Sequence, residues 1–361
     1  MFNTIENAAN RLRRRGISPI LIGIALTGLI WLLGGYLIYS LVTRSSPPKQ
    51  NPVTETPVIE EAIVYRRALD GVVVALEASQ QVGIYGVMID NILEARPPAG
   101  ISKAKLVFEL PVEMGITRFL AVFANGDEVK KIGPVRSARP YAVDLMSEFN
   151  GMYLHIGGSP AALDEIANSN LIYNVGETLS PKTIYRVKTR AAPHNAYTDS
   201  ENMAALFALQ SRTFGPVAPW LYRDEKKPDE RSGNAGVVIN FSTYQYEAEW
   251  KYDSAANDYI RYEGRVRHKD EDGSEIRAKN VAVMITSSKV LDDKGRLDMP
   301  VIGTGKAMIL SEGVVINGTW KKDSAADRLR FFGQEGGEVS FIPGTTWVEV
   351  VDGVSKVKIK E

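Results

Sequence analysis

Residues 130–160 read KKIGPVRSARPYAVDLMSEFNGMYLHIGGSP, an extended turn, a helix, a strand and the start of a second helix in one stretch. A residue before proline is driven out of the α region by the proline ring, so the segment from Pro134 to Arg139 is expected to be extended. Pro140 suits a first helical position, where the N–H it lacks has no partner to lose. Ala142, Leu145, Met146 and Phe149 then recur at helical spacing as one apolar stripe. A strand over 152–156 follows, and Gly157-Gly158-Ser159-Pro160 leads into a second helix over 161–167. Arg136 and Arg139 fall just before the first helix, at the positive end of its dipole. Two guanidinium groups there are unfavourable unless a carboxylate or a bound anion compensates them.

Working outward, 82–89, 106–110 and 118–123 are short β-rich runs. A hairpin is expected among them, and Asn125-Gly126 is a turn signal because both residues tolerate positive φ. Thr198 and Glu201 have capping-box spacing ahead of a helical stripe of Met203, Ala204, Phe207 and Ala208. Strands alternating with helices predict an α/β (or α+β) domain over 62–214. The charged, aperiodic stretch 215–236 is expected to be a linker. Beyond it Tyr244, Tyr246, Ala248, Trp250 and Tyr252 alternate with polar residues, and 281–285, 301–302, 307–310, 314–316 and 346–351 continue the theme. With turn signals at Asn317-Gly318 and Pro343-Gly344, 237–361 is predicted to be a mainly antiparallel β domain.

The N-terminus is different. Residues 17–42 carry no charge and exceed the roughly 20 residues a helix needs to cross a bilayer, which predicts one transmembrane helix. Arg11, Arg13, Arg14 and Arg15 precede it and only Arg44 and Lys49 follow closely, so residues 1–16 are expected to stay cytoplasmic and the rest to be extracytoplasmic. A cleaved signal peptide would have a shorter apolar region. Proline and small polar residues over 43–61 read as a tether.

Composition narrows the partners. Lys+Arg and Asp+Glu number 43 each, giving no global field for nucleic acid. Cysteine is absent, which removes disulfides, thiolate metal sites, a thiol nucleophile and a lipid-bearing cysteine. No glycine-rich phosphate loop or dinucleotide fingerprint occurs, and no metal or cofactor is predicted. Ser102-Lys103-Ala104-Lys105 matches Ser-x-x-Lys as text, but the companion motifs of serine acyl-enzymes are missing.

Several ordered motifs carry a resemblance: Val87-Met88-Ile89-Asp90-Asn91, Glu94-Ala95-Arg96-Pro97, Gly115-Ile116-Thr117-Arg118-Phe119, Gly133-Pro134-Val135-Arg136-Ser137-Ala138-Arg139-Pro140, His155-Ile156-Gly157-Gly158-Ser159-Pro160 and Pro193-His194-Asn195. With Gly318-Thr319-Trp320-Lys321 and Pro343-Gly344-Thr345-Thr346-Trp347 near the C-terminus, the sequence resembles the YerB-like family of bacterial envelope proteins. The resemblance implies two extracytoplasmic domains and no established reaction. Many relatives are lipoproteins; here a membrane helix stands in place of the lipidated cysteine.

The residues themselves suggest chemistry. Arg118, Arg136 and Arg139 form a basic group, with Ser137, Ser159, Asp90, Asn91 and Glu109 as further ligand-binding candidates and Glu94, Glu113 and Asp144 as other acids. His155 and His194 are candidate acid/base groups. Arginines fork onto phosphate or carboxylate, so an anionic cell-envelope ligand such as a wall glycan, its peptide or a phosphate-bearing group is expected. The same residues equally suit a buried ion-pair network. An envelope hydrolase or transferase and a scaffold for protein partners are the alternatives.

Overall fold

The computed structural model describes residues 2–16, 18–43, 64–177, 182–210 and 214–361. Two compact units divide the chain, 1–62 and 63–361. The first holds α1 (Phe2–Arg13) and α2 (Pro19–Val42). Ser18 caps α2, its Oγ accepting the Ile20 N–H at 3.3 Å, and Pro19 takes the first position. The 24 residues of α2 are long and apolar enough to cross a membrane, and none is buried within the protein. Apart from Thr43, the expected tether lies outside the described residues.

The second unit is built on a ten-stranded mixed sheet. The N-terminal half contributes β1 (Ile84–Asp90), β2 (Leu106–Pro111), β3 (Thr117–Ala124), β4 (Met152–His155) and β5 (Tyr173–Gly176). Between them lie α3 (Pro140–Ser147) and α4 (Pro160–Asn168), with α5 (Ser200–Leu209) after β5. The C-terminal half begins with β6 (Gly236–Asn240), β7 (Glu247–Asp253) and β8 (Asp258–Glu263). It continues with β9 (Asn280–Ile285), β10 (Gly303–Ser311), β11 (Val314–Lys322), β12 (Arg330–Gly333), β13 (Thr346–Val351) and β14 (Val357–Lys360). The large sheet runs β12-β11-β10-β9-β13-β2-β3-β1-β4-β5. Each half supplies five neighbouring strands, and the halves join where β13 pairs parallel to β2. A second sheet, containing β8-β7-β6-β14, is antiparallel throughout.

Period-two alternation sorts the core into two layers. Ile84, Met88, Leu120, Val122, Tyr153, Val348 and Val350 pack with Tyr141, Ala142, Leu145, Met146 and Phe149 of the α3 region, on the helical side of the sheet. Tyr85, Val87, Ile89, Phe119, Ala121, Leu154 and Trp347 face the opposite way, onto Val237, Ile239, Ala248, Trp250 and Tyr259 of the second sheet. Both faces of the large sheet are therefore covered, and β1, β2, β3, β4, β9 and β13 are buried along their whole length.

A charged cluster lies in the second layer. Glu109 of β2 and Glu349 of β13 are register partners, both essentially unexposed. Arg261 of β8, wholly buried, pairs with Glu109 and lies 3.7 Å from Glu263 and 3.9 Å from Glu349. Its guanidinium sits 5.1 Å from the Trp347 ring and 5.5 Å from that of Phe119. Two adjacent buried carboxylates repel, and burial, then the charge of Glu109, push the Glu349 carboxyl well above its ordinary range despite Arg261. Glu349 also accepts the Trp250 indole N–H at 2.6 Å.

The expected hairpin is β2–β3, which turns through Val112–Ile116, where Val112 N–H reaches Ile116 O at 2.9 Å, and the expected Asn125-Gly126 turn follows β3 and leads the chain out of the sheet. Two local expectations are corrected. Asn317-Gly318 lies inside β11, and the hairpin turn is Glu312-Gly313, both at positive φ. A Cβ on Gly318 would come within 1.8 Å of the Phe332 carbonyl, so glycine there serves close strand approach rather than a turn. The cap of α5 is Asp199, whose carboxylate accepts the Asn202 N–H at 2.7 Å, while the Thr198 hydroxyl donates to Thr183 O.

Candidate functional site

The opening stretch folds across one end of the large sheet. Asp90 ends β1, Arg118 lies directly opposite it in β3, and His155 ends β4, which runs parallel to β1. All three share the parity that faces the α3–α4 layer. The loop between Gly133 and Arg139 is pinned over them: Asp90 N–H donates to Pro134 O at 2.9 Å, Arg136 N–H to Met88 O at 2.8 Å and Val135 N–H to Ala196 O at 2.7 Å. The carboxyl ends of parallel strands and the N-termini of α3 and α4 therefore meet in one place, the usual position of ligand sites in open α/β sheets.

Asp90 is the hub. Its Oδ2 accepts Arg136 Nε–H at 2.9 Å and His194 Nδ1–H at 2.7 Å, and it is only 1% exposed. A carboxylate can only accept, so the His194 tautomer this contact selects carries its proton on Nδ1 and leaves Nε2, which has no partner among the described residues, as the lone-pair nitrogen. Arg139 is consumed by the fold: Nε and Nη2 fork onto Glu113 at 2.6 and 2.5 Å, and Nη1 donates to Ala138 O at 2.7 Å. Burial opposes ionisation of Glu113, but the fork from Arg139 outweighs it and holds the carboxyl below its ordinary range.

Arg118 is the anomaly. It is 5% exposed and donates one hydrogen bond, from Nη1 to Ser137 O at 2.9 Å. Its Nε is buried without a partner, and it has no carboxylate within ion-pair distance among the described residues. Burial, then the neighbouring charge of Arg139, pull its pKa down to about 10, still far above neutrality. Arg118, Arg136 and Arg139 therefore share only Asp90 and Glu113, and a buried cation stands without a counter-charge of its own.

The remaining candidates go elsewhere. His155 is saturated, with Nδ1 2.8 Å from Gly157 O and Nε2 3.0 Å from Asn174 Oδ1, and burial lowers its pKa. Ser159 caps α4 by accepting the Ala162 N–H at 3.3 Å. Asn91 donates to Thr117 and Glu263, and Glu109 belongs with Arg261, both in the second-sheet layer. Parity explains the separation: Glu109 is register partner of Phe119, one residue past Arg118, and so takes the other face. Lys105 pairs with Asp127 at 3.2 Å, and the Ser102 backbone N–H donates to Asp270 at 2.9 Å. Those contacts leave Ser-x-x-Lys as a feature of the seam beside a cavity of about 460 Å³. Among the described residues no group of three or more His, Cys, Asp or Glu is gathered to hold a metal.

Sequence reasoning missed Asn174 and the Arg261–Glu349 cluster. For Arg261 the local pattern misleads, because period-two reading turns Ile260 and Tyr262 inward, whereas the structure buries the alternate set of Tyr259, Arg261 and Glu263. For Asn174 no local pattern points across to His155.

Comparison with known proteins places the chain. Residues 69–214 match the family described as "Protein of unknown function (DUF3048) N-terminal domain", and 237–348 match its C-terminal domain. The chain is 29% identical over 283 residues to "Putative lipoprotein YerB" of Bacillus subtilis (strain 168), covering 76% of this chain and 83% of that one. The crystal structure of YerB protein from Bacillus subtilis superposes with a TM-score of 0.73 at 26% identity, covering 82% of this chain and 99% of the other. With both domains matched in order and the fold shared, the chain belongs to the YerB-like family.

Proposed function

We propose that this is a membrane-anchored, extracytoplasmic binding protein whose Arg118 and Arg136 hold the anionic group of a cell-envelope ligand. The observation that carries the proposal is Arg118, a buried guanidinium with, among the described residues, an unpartnered Nε and no carboxylate of its own. Among the described residues Arg136 spends only its Nε, on Asp90, which leaves both terminal nitrogens for a ligand. Arg139 and Glu113 form the wall that keeps the loop in place. The apolar α2 supports the anchor, and a relative named as a lipoprotein supports an envelope location.

Binding of soluble wall fragments, inorganic phosphate and acetate to the detergent-solubilised chain, measured by calorimetry, tests this. Losing a charged hydrogen bond costs about 1.5–3 kcal/mol, so Arg136→Gln and Arg118→Gln are each expected to weaken binding about 10- to 100-fold. Exposed Arg186→Gln serves as the control. Unchanged affinity in folded Arg118 and Arg136 variants, or no binding of any of the three probes, overturns the proposal.

One observation favours a second reading, an envelope hydrolase or transferase. Asp90 orients His194 and leaves its Nε2 free to take a proton from a ligand hydroxyl or from water. Product formed from the same fragments and lost in His194→Asn, with binding retained, would distinguish catalysis from binding alone.

A further inference from the structure

The first sixteen residues are a basic tail by composition, and the structure makes most of them a helix. Along α1, Phe2, Ile5, Ala9 and Leu12 recur at spacings of three and four, which at 100° per residue places their positions within one narrow arc. Asn3, Asn7 and Asn10 fall on the opposite side. Arg13 falls at the edge of the apolar arc, Arg11 on the polar side beside Asn7, and Arg14 and Arg15 follow in the closing turn. Glu6 is the only acid against these four arginines. Residues 14–18 separate the end of α1 from the start of the apolar α2.

From this we infer that α1 is an interfacial helix, lying along the cytoplasmic face of the membrane with its apolar arc among the acyl chains and its arginines on anionic lipid headgroups. Three features select this occupant. A helix of about three turns, narrowly apolar and otherwise polar, is suited to lie in the interface and is far too short to cross. Its connection to α2 holds it within a few residues of the bilayer surface. Its excess of positive charge complements the anionic leaflet, and arginine stems can lie along the apolar boundary while their heads reach the phosphates. The inference rests on the proposed passage of α2 through the membrane and on no property of the Arg118 site.

The chain has no cysteine, so one introduced thiol is unique and can carry a spin label. Leu12→Cys and Asn10→Cys, each in the full chain, are reconstituted into phosphatidylcholine vesicles with and without phosphatidylglycerol. With phosphatidylglycerol present, the Leu12 label is expected to be reached by oxygen and shielded from an aqueous nickel chelate, and the Asn10 label to show the reverse. Each arginine near an anionic surface contributes about 1 kcal/mol, so each neutralisation among Arg13→Gln, Arg14→Gln and Arg15→Gln should weaken the interfacial state about fivefold. Both labels reading as aqueous while the chain floats with the vesicles would overturn the inference and leave α2 standing. A contrast identical in the two lipid mixtures would overturn the anionic-lipid assignment. Failure of the chain to float with either kind of vesicle would overturn both the anchor and the inference.

Discussion

Replacing Arg261 by methionine is the most demanding test of how the two halves are joined. The side chain is wholly buried and faces three glutamates drawn from β2, β8 and β13. Methionine keeps much of the aliphatic volume between Phe119 and Trp347, so loss of packing is a small part of the effect. The main effect is electrostatic. Glu263 retains Arg96 at 3.3 Å, and burial with the charge of Glu109 favours the neutral form of Glu349, but the buried Glu109 loses the one ion-pair partner it has among the described residues. Breaking a buried pair by deleting one partner costs about 3–5 kcal/mol. Unfolding entropy of about 2.1 cal/mol/K per residue over about 300 residues gives about 0.6 kcal/mol/K, so the melting temperature should fall by about 5–8 °C. Differential scanning calorimetry of wild type and Arg261→Met measures it. Adding Glu109→Gln removes the stranded charge and should recover more than half of the loss. A melting temperature within 1–2 °C of wild type, outside this range of about 5–8 °C, would refute the idea that an ionised cluster spans the halves, as would failure of Glu109→Gln to rescue.

Three further outcomes follow from the same geometry. Glu349 has its folded pKa raised above the ordinary glutamate value, so its contribution to stability is full in acid and is lost as pH rises towards the folded value; Glu349→Gln should flatten that slope and leave the variant relatively more stable at pH 8 than at pH 5, read by melting curves across pH. Glu113 has the opposite sign, because its folded carboxyl is depressed chiefly through Arg139; the stability it adds is present above about pH 4.5 and lost as pH falls further, and Arg139→Gln should abolish that acid-side loss in the same measurement. Gly318→Ala sets a methyl group against the Phe332 carbonyl and should destabilise by about 1–3 kcal/mol through separation of β11 from β12, visible as faster amide exchange along β12 with β1–β4 unchanged.

Sequence and structure divide the work unevenly. The extended turn before Pro140, the helix after it and the strand ending at His155 were legible because proline sterics and helical and two-residue periodicity act over a few residues. Apolar α2 was legible for the same reason, since a run of uncharged residues is a one-dimensional property. The two halves were legible as two patterns. Their union in one sheet was not, because the β13–β2 pairing joins residues more than two hundred positions apart, and no local propensity encodes it.

The arginines show the same boundary. Their chemical type and crowding before α3 are written in the sequence, and so is the need for compensating negative charge. Which arginine is compensated is decided by tertiary placement: Arg139 meets Glu113 from the β2–β3 turn, Arg136 meets Asp90, and Arg118, among the described residues, hydrogen-bonds only a carbonyl. Asp90 likewise becomes a hub because the segment carrying His194 is brought beside it from a hundred residues away. Local sterics and hydrophobic spacing fix which elements form; long-range register decides which charges face one another, because an ion pair depends on distance in space and not on distance along the chain.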